Sequence, residues 1–255
     1  MAVADFNCDG YPGIAFSDEL CCLSVAAGNG SGQFESSALY KAPKYPRAIF
    51  AADFQATGQL DLAVIDGASV ALFPGQAGGK FGTPLTSGAV AANGAVADFN
   101  GDGIPDLAVA GNNPAQLQVL FGQKNGNFVP AATHTDLTVQ VAFMAAADFN
   151  GDGIPDIALS TSALRSTPGG IQVLLGDGKG NFTVSATIRE PSSAFGQIVA
   201  ADCNGDGKID LAVADHTSKR GIHVVAGEWG RHVSGAGDVR FGYVWNQFSD
   251  GGRFQ

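Results

Sequence analysis

One nine-residue phrase returns five times along the 255 residues, and no other feature limits the fold so strongly. The copies are Asp5-Phe-Asn-Cys-Asp-Gly-Tyr-Pro-Gly13, Asp53-Phe-Gln-Ala-Thr-Gly-Gln-Leu-Asp61, Asp98-Phe-Asn-Gly-Asp-Gly-Ile-Pro-Asp106, Asp148-Phe-Asn-Gly-Asp-Gly-Ile-Pro-Asp156 and Asp202-Cys-Asn-Gly-Asp-Gly-Lys-Ile-Asp210. Their first aspartates lie 48, 45, 50 and 54 residues apart. A small apolar run precedes the phrase (Ala95-Val-Ala, Ala145-Ala-Ala, Val199-Ala-Ala), and an apolar stretch follows it (Leu107-Ala-Val-Ala, Ile157-Ala-Leu, Leu211-Ala-Val-Ala). These read as two strands joined by a turn. A third strand then leads into a Gly- and Asn-rich hairpin ending in Phe, as in Leu117-Gln-Val-Leu-Phe before Phe128 and Ile171-Gln-Val-Leu-Leu before Phe182. A fourth strand fits between that Phe and the next phrase. Four short antiparallel strands in about 50 residues, repeated, define one blade of a β-propeller. The period excludes nonapeptide β-helix repeats, and a β-sandwich requires no such internal identity.

The pattern Asp-Phe-Asn-Gly-Asp-Gly-x-x-Asp-Leu-Ala-Val, followed by Val-Leu-Leu-Gly and a Gly-rich hairpin to Phe, resembles the FG-GAP (VCBS) repeat of integrin α-subunit-like propellers. The resemblance covers residues 1–228, with repeats near 1–46, 47–91, 92–140, 141–195 and 196–228. It implies an all-β propeller of four-stranded antiparallel blades, about five of them here, as a five-bladed ring or a fragment of a seven-bladed one. It also implies calcium in the Asp-rich turn, an extracellular or cell-surface location, and a role in binding or adhesion. Residues 229–255 depart from the pattern and form an atypical tail, either a closing strand through Phe241, Tyr243 and Trp245 or a frayed end.

The turn itself states why a metal suits it. In the third copy, side-chain oxygens fall at positions 1, 3, 5 and 9 (Asp98, Asn100, Asp102, Asp106), with the Ile104 carbonyl at position 7. Calcium takes six to eight hard oxygen ligands in flexible geometry, whereas magnesium demands a strict octahedron. The fourth copy offers Asp148, Asn150, Asp152, Ile154 and Asp156, and the fifth Asp202, Asn204, Asp206, Lys208 and Asp210. An EF-hand would need a Glu at position 12, where Val109, Leu159 and Val213 stand, so the site is strand-loop-strand. The first copy keeps Asp5, Asn7, Asp9 and the Tyr11 carbonyl but has Gly13 at position 9, which predicts weaker binding. The second has Gln55 and Thr57 at positions 3 and 5, which predicts little or none, although Gly58 preserves the turn.

Composition narrows the function. Lys and Arg number 14 against 24 Asp and Glu, a formal charge of −10, the opposite of what a polyanion binder needs. Thirteen of those 24 acids sit in the five phrases, so three bound calcium ions would leave −4. No apolar run reaches the length of a membrane helix, and residues 1–6 contain no secretory leader. His134, His216, His223 and His232 form no ligand pattern, no nucleophile elbow is present, and the Gly-rich segments lack phosphate-loop spacing, so no catalytic set is visible. The expected function is a calcium-binding extracellular propeller that binds a protein or glycan. The alternatives are a lectin-like propeller and the non-catalytic part of a polysaccharide-degrading enzyme. Two sequons, Asn29-Gly-Ser31 and Asn181-Phe-Thr183, are glycan acceptors by motif. In a closed five-bladed ring the first and fifth repeats would be neighbours, which would bring Cys8 and Cys203 within reach of a disulfide.

Overall fold

The second strands of the middle three repeats read Asp-Leu-Ala-Val or a close variant because both of their faces are covered. In the computed structural model, which describes residues 1–18, 22–88, 92–112, 115–137, 139–161, 170–189, 195–215, 221–225 and 227, these strands are buried along their length. All regular structure among the described residues is β.

The first sheet holds β1 (Ala2–Ala4), β2 (Gly13–Ser17), β3 (Cys22–Ala26) and β4 (Ala38–Lys41) in that order. The second holds β5 (Ala48–Ala52), β6 (Asp61–Ile65), β7 (Ser69–Phe73) and, after a small hairpin of β8 (Gly75–Gln76) and β9 (Lys80–Phe81), β10 (Leu85–Gly88). The third runs β11 (Asn93–Ala97), β12 (Asp106–Asn112), β13 (Ala115–Gly122), β14 (Phe128–Asp136). The fourth runs β15 (Val141–Ala147), β16 (Asp156–Thr161), β17 (Gly170–Gly176), β18 (Phe182–Arg189). The fifth shows β19 (Phe195–Ala201), β20 (Asp210–Asp215) and β21 (Gly221–Val225). Every pairing is antiparallel, and apart from β7 with β10 it joins chain neighbours, the meander expected of propeller blades. The tail 229–255, with its candidate closing strand, lies outside the described residues.

The chain divides into two compact units, Met1–Asp136 and Leu137–Gln255. Within the first, β6 alternates between two cores. Leu62 and Val64 pack with Phe6, Leu23, Val25, Phe73 and Phe81 of sheets one and two. Ala63 and Ile65 pack with Val70, Leu72, Leu107, Val109 and Leu120 of sheets two and three. A period of two with both faces apolar is what face-to-face sheets require. In the second unit, Ala158, Ile171, Val173, Leu211 and Val213 form the corresponding core of sheets four and five.

The Phe at position 2 of the phrase ties the first, second and fourth turns to such a core. Phe6 meets Phe81 edge-on at 5.9 Å, and Phe54 meets Phe128 at 5.4 Å, so the turn of one repeat docks on the hairpin of the next. Phe149 lies in the core of the second unit, whereas the fifth repeat has the exposed Cys203 at this position. Cys8 is also an exposed thiol, and both are free. Each of the two sits in the solvent-facing turn of its own repeat.

Candidate metal centre

Each phrase folds into the same turn because one carboxylate gathers the backbone around it. In the third repeat, Asp98 Oδ1 accepts N–H bonds from Gly101 (2.7 Å) and Asp102 (3.1 Å), and Oδ2 accepts one from Gly103 (2.8 Å). Asp102 Oδ1 then accepts from the Ile104 N–H (2.8 Å). Asp148 and Asp202 do the same in the fourth and fifth repeats. At Asp202 these bonds, the Gly207 N–H foremost, hold the carboxyl below the usual carboxylate range. Position 6 is glycine with φ between 81° and 87° in all five copies, as the sequence predicts. Position 4 is also left-handed, and there the first and second repeats place Cys8 (φ 60°) and Ala56 (φ 53°).

Positions 1, 3 and 5 come together at the exposed mouth of the turn. Asn100 Nδ2 donates to Asp102 Oδ2 at 3.1 Å, and the equivalent contact is 2.8 Å from Asn7 to Asp9, 2.8 Å from Asn150 to Asp152 and 3.3 Å from Asn204 to Asp206. Among the described residues, no three His, Cys, Asp or Glu side chains group at metal-binding spacing. In the first, third, fourth and fifth repeats the mouth of the turn instead pairs a carboxylate with a carboxamide. The donor set is hard oxygen throughout, and each carboxylate oxygen that accepts a single N–H bond keeps a second lone pair. These residues therefore fit a calcium ion that would displace the Asn-to-Asp hydrogen bond.

Position 9 has backbone partners of its own. Asp61, Asp106, Asp156 and Asp210 are fully buried. Asp106 Oδ2 accepts from the Phe99 N–H (2.9 Å) and Oδ1 from the Gly122 N–H (2.8 Å), joining the start of the turn to the end of the third strand. The same clip joins Gln55 and Gly75 through Asp61, Phe149 and Gly176 through Asp156, and Cys203 and Gly227 through Asp210. Counting oxygens along the phrase misses this second role. The available signal was the glycine that ends each third strand, together with the survival of Asp61 in a repeat that has lost positions 3 and 5. In the first repeat a Cβ on Gly13 would stand 2.7 Å from the Ala26 carbonyl oxygen, so the position that holds a clip elsewhere has no room for a side chain.

Burial pushes the Asp106 carboxyl up to about 6, with Asp102 and Asp98 adding to the rise against the two backbone hydrogen bonds. The ordinary value is 3.8, so the folded metal-free protein holds this proton more tightly than the unfolded chain does. Its contribution to stability is full below pH 4 and is lost as pH rises through about 6. Asp61 and Asp156 are raised by the same leading cause.

The clip demands glycine at its far end. An ideal Cβ on Gly122 would lie 2.3 Å from the Pro105 carbonyl oxygen, and Gly75 and Gly176 face the same obstruction from Leu60 and Pro155. Gly122→Ala is expected to destabilise the protein by about 1–3 kcal/mol through forced backbone displacement. Gly88, whose Cβ would meet open space at a φ outside the left-handed region, serves as the neutral control in the same thermal melts.

Blade-like four-stranded meanders, joined by carboxylate-centred turns and stitched by Phe contacts, define a β-propeller repeat protein. The chain belongs to the FG-GAP-like repeat family, which it matches over residues 53–109, 98–159 and 160–213. Comparison with curated proteins returns no match. Among solved structures, an Agrocybe aegerita lectin described as recognising non-reducing terminal N-acetylglucosamine superposes with a TM-score of 0.58 at 18% identity, over 90% of this chain and 63% of the lectin. The NanB sialidase of Streptococcus pneumoniae (K499G mutant) gives 0.57 at 13% identity, over 78% of this chain and 33% of that one. The V. cholerae biofilm matrix protein Bap1 gives 0.53 at 20% identity, over 78% and 30%. The chain thus spans less than two thirds of each of these three proteins, and at such identities the likeness is one of fold.

Proposed function

We propose that this chain is a calcium-stabilised extracellular binding module. One observation carries the metal reading. The second repeat builds the same turn from Asp53 and Gly58 with Gln55 and Thr57 at positions 3 and 5, so the fold does not need Asn and Asp there. The third, fourth and fifth repeats nevertheless place an exposed Asp and an Asn carboxamide at that mouth. The added negative charge repels its neighbours and is offset when a cation binds. The residues that would hold calcium are Asp98, Asn100, Asp102, Ile104 and Asp106, then Asp148, Asn150, Asp152, Ile154 and Asp156, then Asp202, Asn204, Asp206, Lys208 and Asp210. Asp5, Asn7, Asp9 and Tyr11 would form a weaker fourth site. The calcium supplies cross-linking of the turn, and the chain's own part is to orient the oxygens and exclude strand slippage through the position-9 clip.

Affinities of roughly 10⁻⁴ to 10⁻³ M, common for extracellular calcium modules, would suit a medium rich in the ion. The extracellular reading agrees with the family. No helix among the described residues is long and apolar enough to cross a membrane. Calorimetric titration is expected to give three comparable sites and one weaker site, with Asp102→Asn removing one; five equal sites, or none, would overturn the reading. Calcium binds the ionised form of Asp106, so the third-repeat site should hold its affinity above pH 6 and lose about tenfold by pH 5. For the bound partner, a glycan array run with and without calcium separates a carbohydrate from the adhesion proteins suggested by integrin-like repeats.

A further inference from the structure

The two sequons stand in opposite surroundings. Asn29 lies in the exposed loop between β3 and β4, and residues 29–39 are exposed throughout. Its Oδ1 accepts the Ser31 N–H (3.0 Å) and the Ser31 hydroxyl (2.7 Å), while its Nδ2 donates to no group among the described residues. Two donors on the amide oxygen polarise the carboxamide and acidify its N–H, and they bring the hydroxyl of the motif onto the acceptor side chain before any enzyme arrives. The intervening Gly30 takes φ +74°, and a Cβ there would run into the Tyr11 ring, so this loop shape requires glycine between the acceptor and the serine.

Asn181 is tied down. Its Nδ2 donates to Asp177 Oδ2 at 2.7 Å, its backbone N–H donates to Asp177 Oδ1 at 3.1 Å, and its carbonyl accepts the Asp177 N–H at 3.1 Å. Partial desolvation of Asp177 is outweighed by the Asn181 hydrogen bonds, and its carboxyl lies below the usual range, so the partner is charged at neutral pH. The next residue, Phe182, is buried, and Thr183 is paired with Leu175 inside β18.

We propose that Asn29 is an N-glycan acceptor and that Asn181 is not, because only Asn29 presents an unengaged amide nitrogen with the sequon hydroxyl already on its oxygen. The sugar donor is a polyisoprenyl-pyrophosphate oligosaccharide of a eukaryotic secretory compartment. Asn29 Nδ2 bonds to the anomeric carbon, the anomeric C–O bond breaks, the pyrophosphate departs with the bonding pair, and one Nδ2 proton passes to the transferase's base. No electron transfer is involved. Releasing the charge-assisted bond from Asn181 to Asp177 gives an occupancy difference of at least about tenfold.

The test is expression of the full chain behind a cleavable leader in a eukaryotic secretory host, with peptide mapping before and after an amidase that leaves aspartate at each occupied Asn. One glycan per chain at Asn29 is expected, abolished by Asn29→Gln and by Ser31→Ala and unaffected by Asn181→Gln. Asp177→Ala should raise Asn181 occupancy, a readout that a merely inaccessible strand would not move. Chains retained in the cell are mapped in the same way, so failure of a variant to fold does not hide the answer. Glycans on both residues, on Asn181 alone or on neither would overturn the assignment. The inference needs no metal, and its failure would leave the calcium reading standing.

Discussion

Asp61→Ala is expected to destabilise the amino-terminal unit by about 2–5 kcal/mol, and by the same amount in calcium and in chelator. The carboxylate is fully buried and accepts the Gln55 N–H at 3.1 Å and the Gly75 N–H at 2.6 Å. Alanine takes this partner from two part-buried donors, and each such group costs about 1–3 kcal/mol. Removing a buried carboxyl whose pKa burial has raised returns part of that loss, which holds the figure below the top of the summed range. The second repeat has Gln55 and Thr57 where a metal loop has Asn and Asp, so the effect should be independent of calcium. Asp106→Ala breaks the matching bonds to Phe99 and Gly122 and also removes a proposed ligand, so its cost should grow when calcium is present. Paired thermal melts of the two variants with and without calcium separate clip from ligand. A change below about 0.5 kcal/mol for Asp61→Ala, or one that tracks calcium, would show that the clip does not hold the blade.

Most of the blade was legible in the sequence because its signals are local. Leu107-Ala-Val-Ala and Ile157-Ala-Leu read as strands, and β12 and β16 are strands, buried on both faces. The hairpin Phe residues marked the approach to the fourth strands, as β14 and β18 confirm by starting at Phe128 and Phe182. The candidate site was legible only in part. Spacing along nine residues counts oxygens, but it does not see the Gly122 N–H, which meets Asp106 from the end of the next hairpin strand. A purely ligand-based reading therefore gave position 9 one role where the structure shows another that stands on its own. Gly13 makes the same point in reverse. It read as a lost ligand, whereas the Ala26 carbonyl occupies the space that a side chain would need. The docking of Phe54 on Phe128 was likewise out of reach, since it depends on how successive sheets stack and not on either repeat alone.

Chelation should produce the other large effect. A ligand that binds the folded and not the unfolded chain stabilises by RT ln(1 + [L]/Kd), which at about 1 mM calcium and a Kd near 10⁻⁴ M is about 1.4 kcal/mol per site. Three sites then contribute about 4 kcal/mol, equivalent to a fall in melting temperature on the order of 10 °C when calcium is removed. The effect should be uneven. The fourth and fifth repeats both lie in the unit Leu137–Gln255, whereas Met1–Asp136 holds the third repeat and the weaker first. The carboxy-terminal unit should therefore lose protection against hydrogen exchange first, with β16 and β20 showing the largest change because each begins at the position-9 aspartate of its loop. Asp152→Ala combined with Asp206→Ala should remove the calcium dependence of that unit while leaving the Asp156 and Asp210 clips in place. An unchanged melt in chelator, or calcium protection that persists in the double variant, would sink the proposed role of these loops.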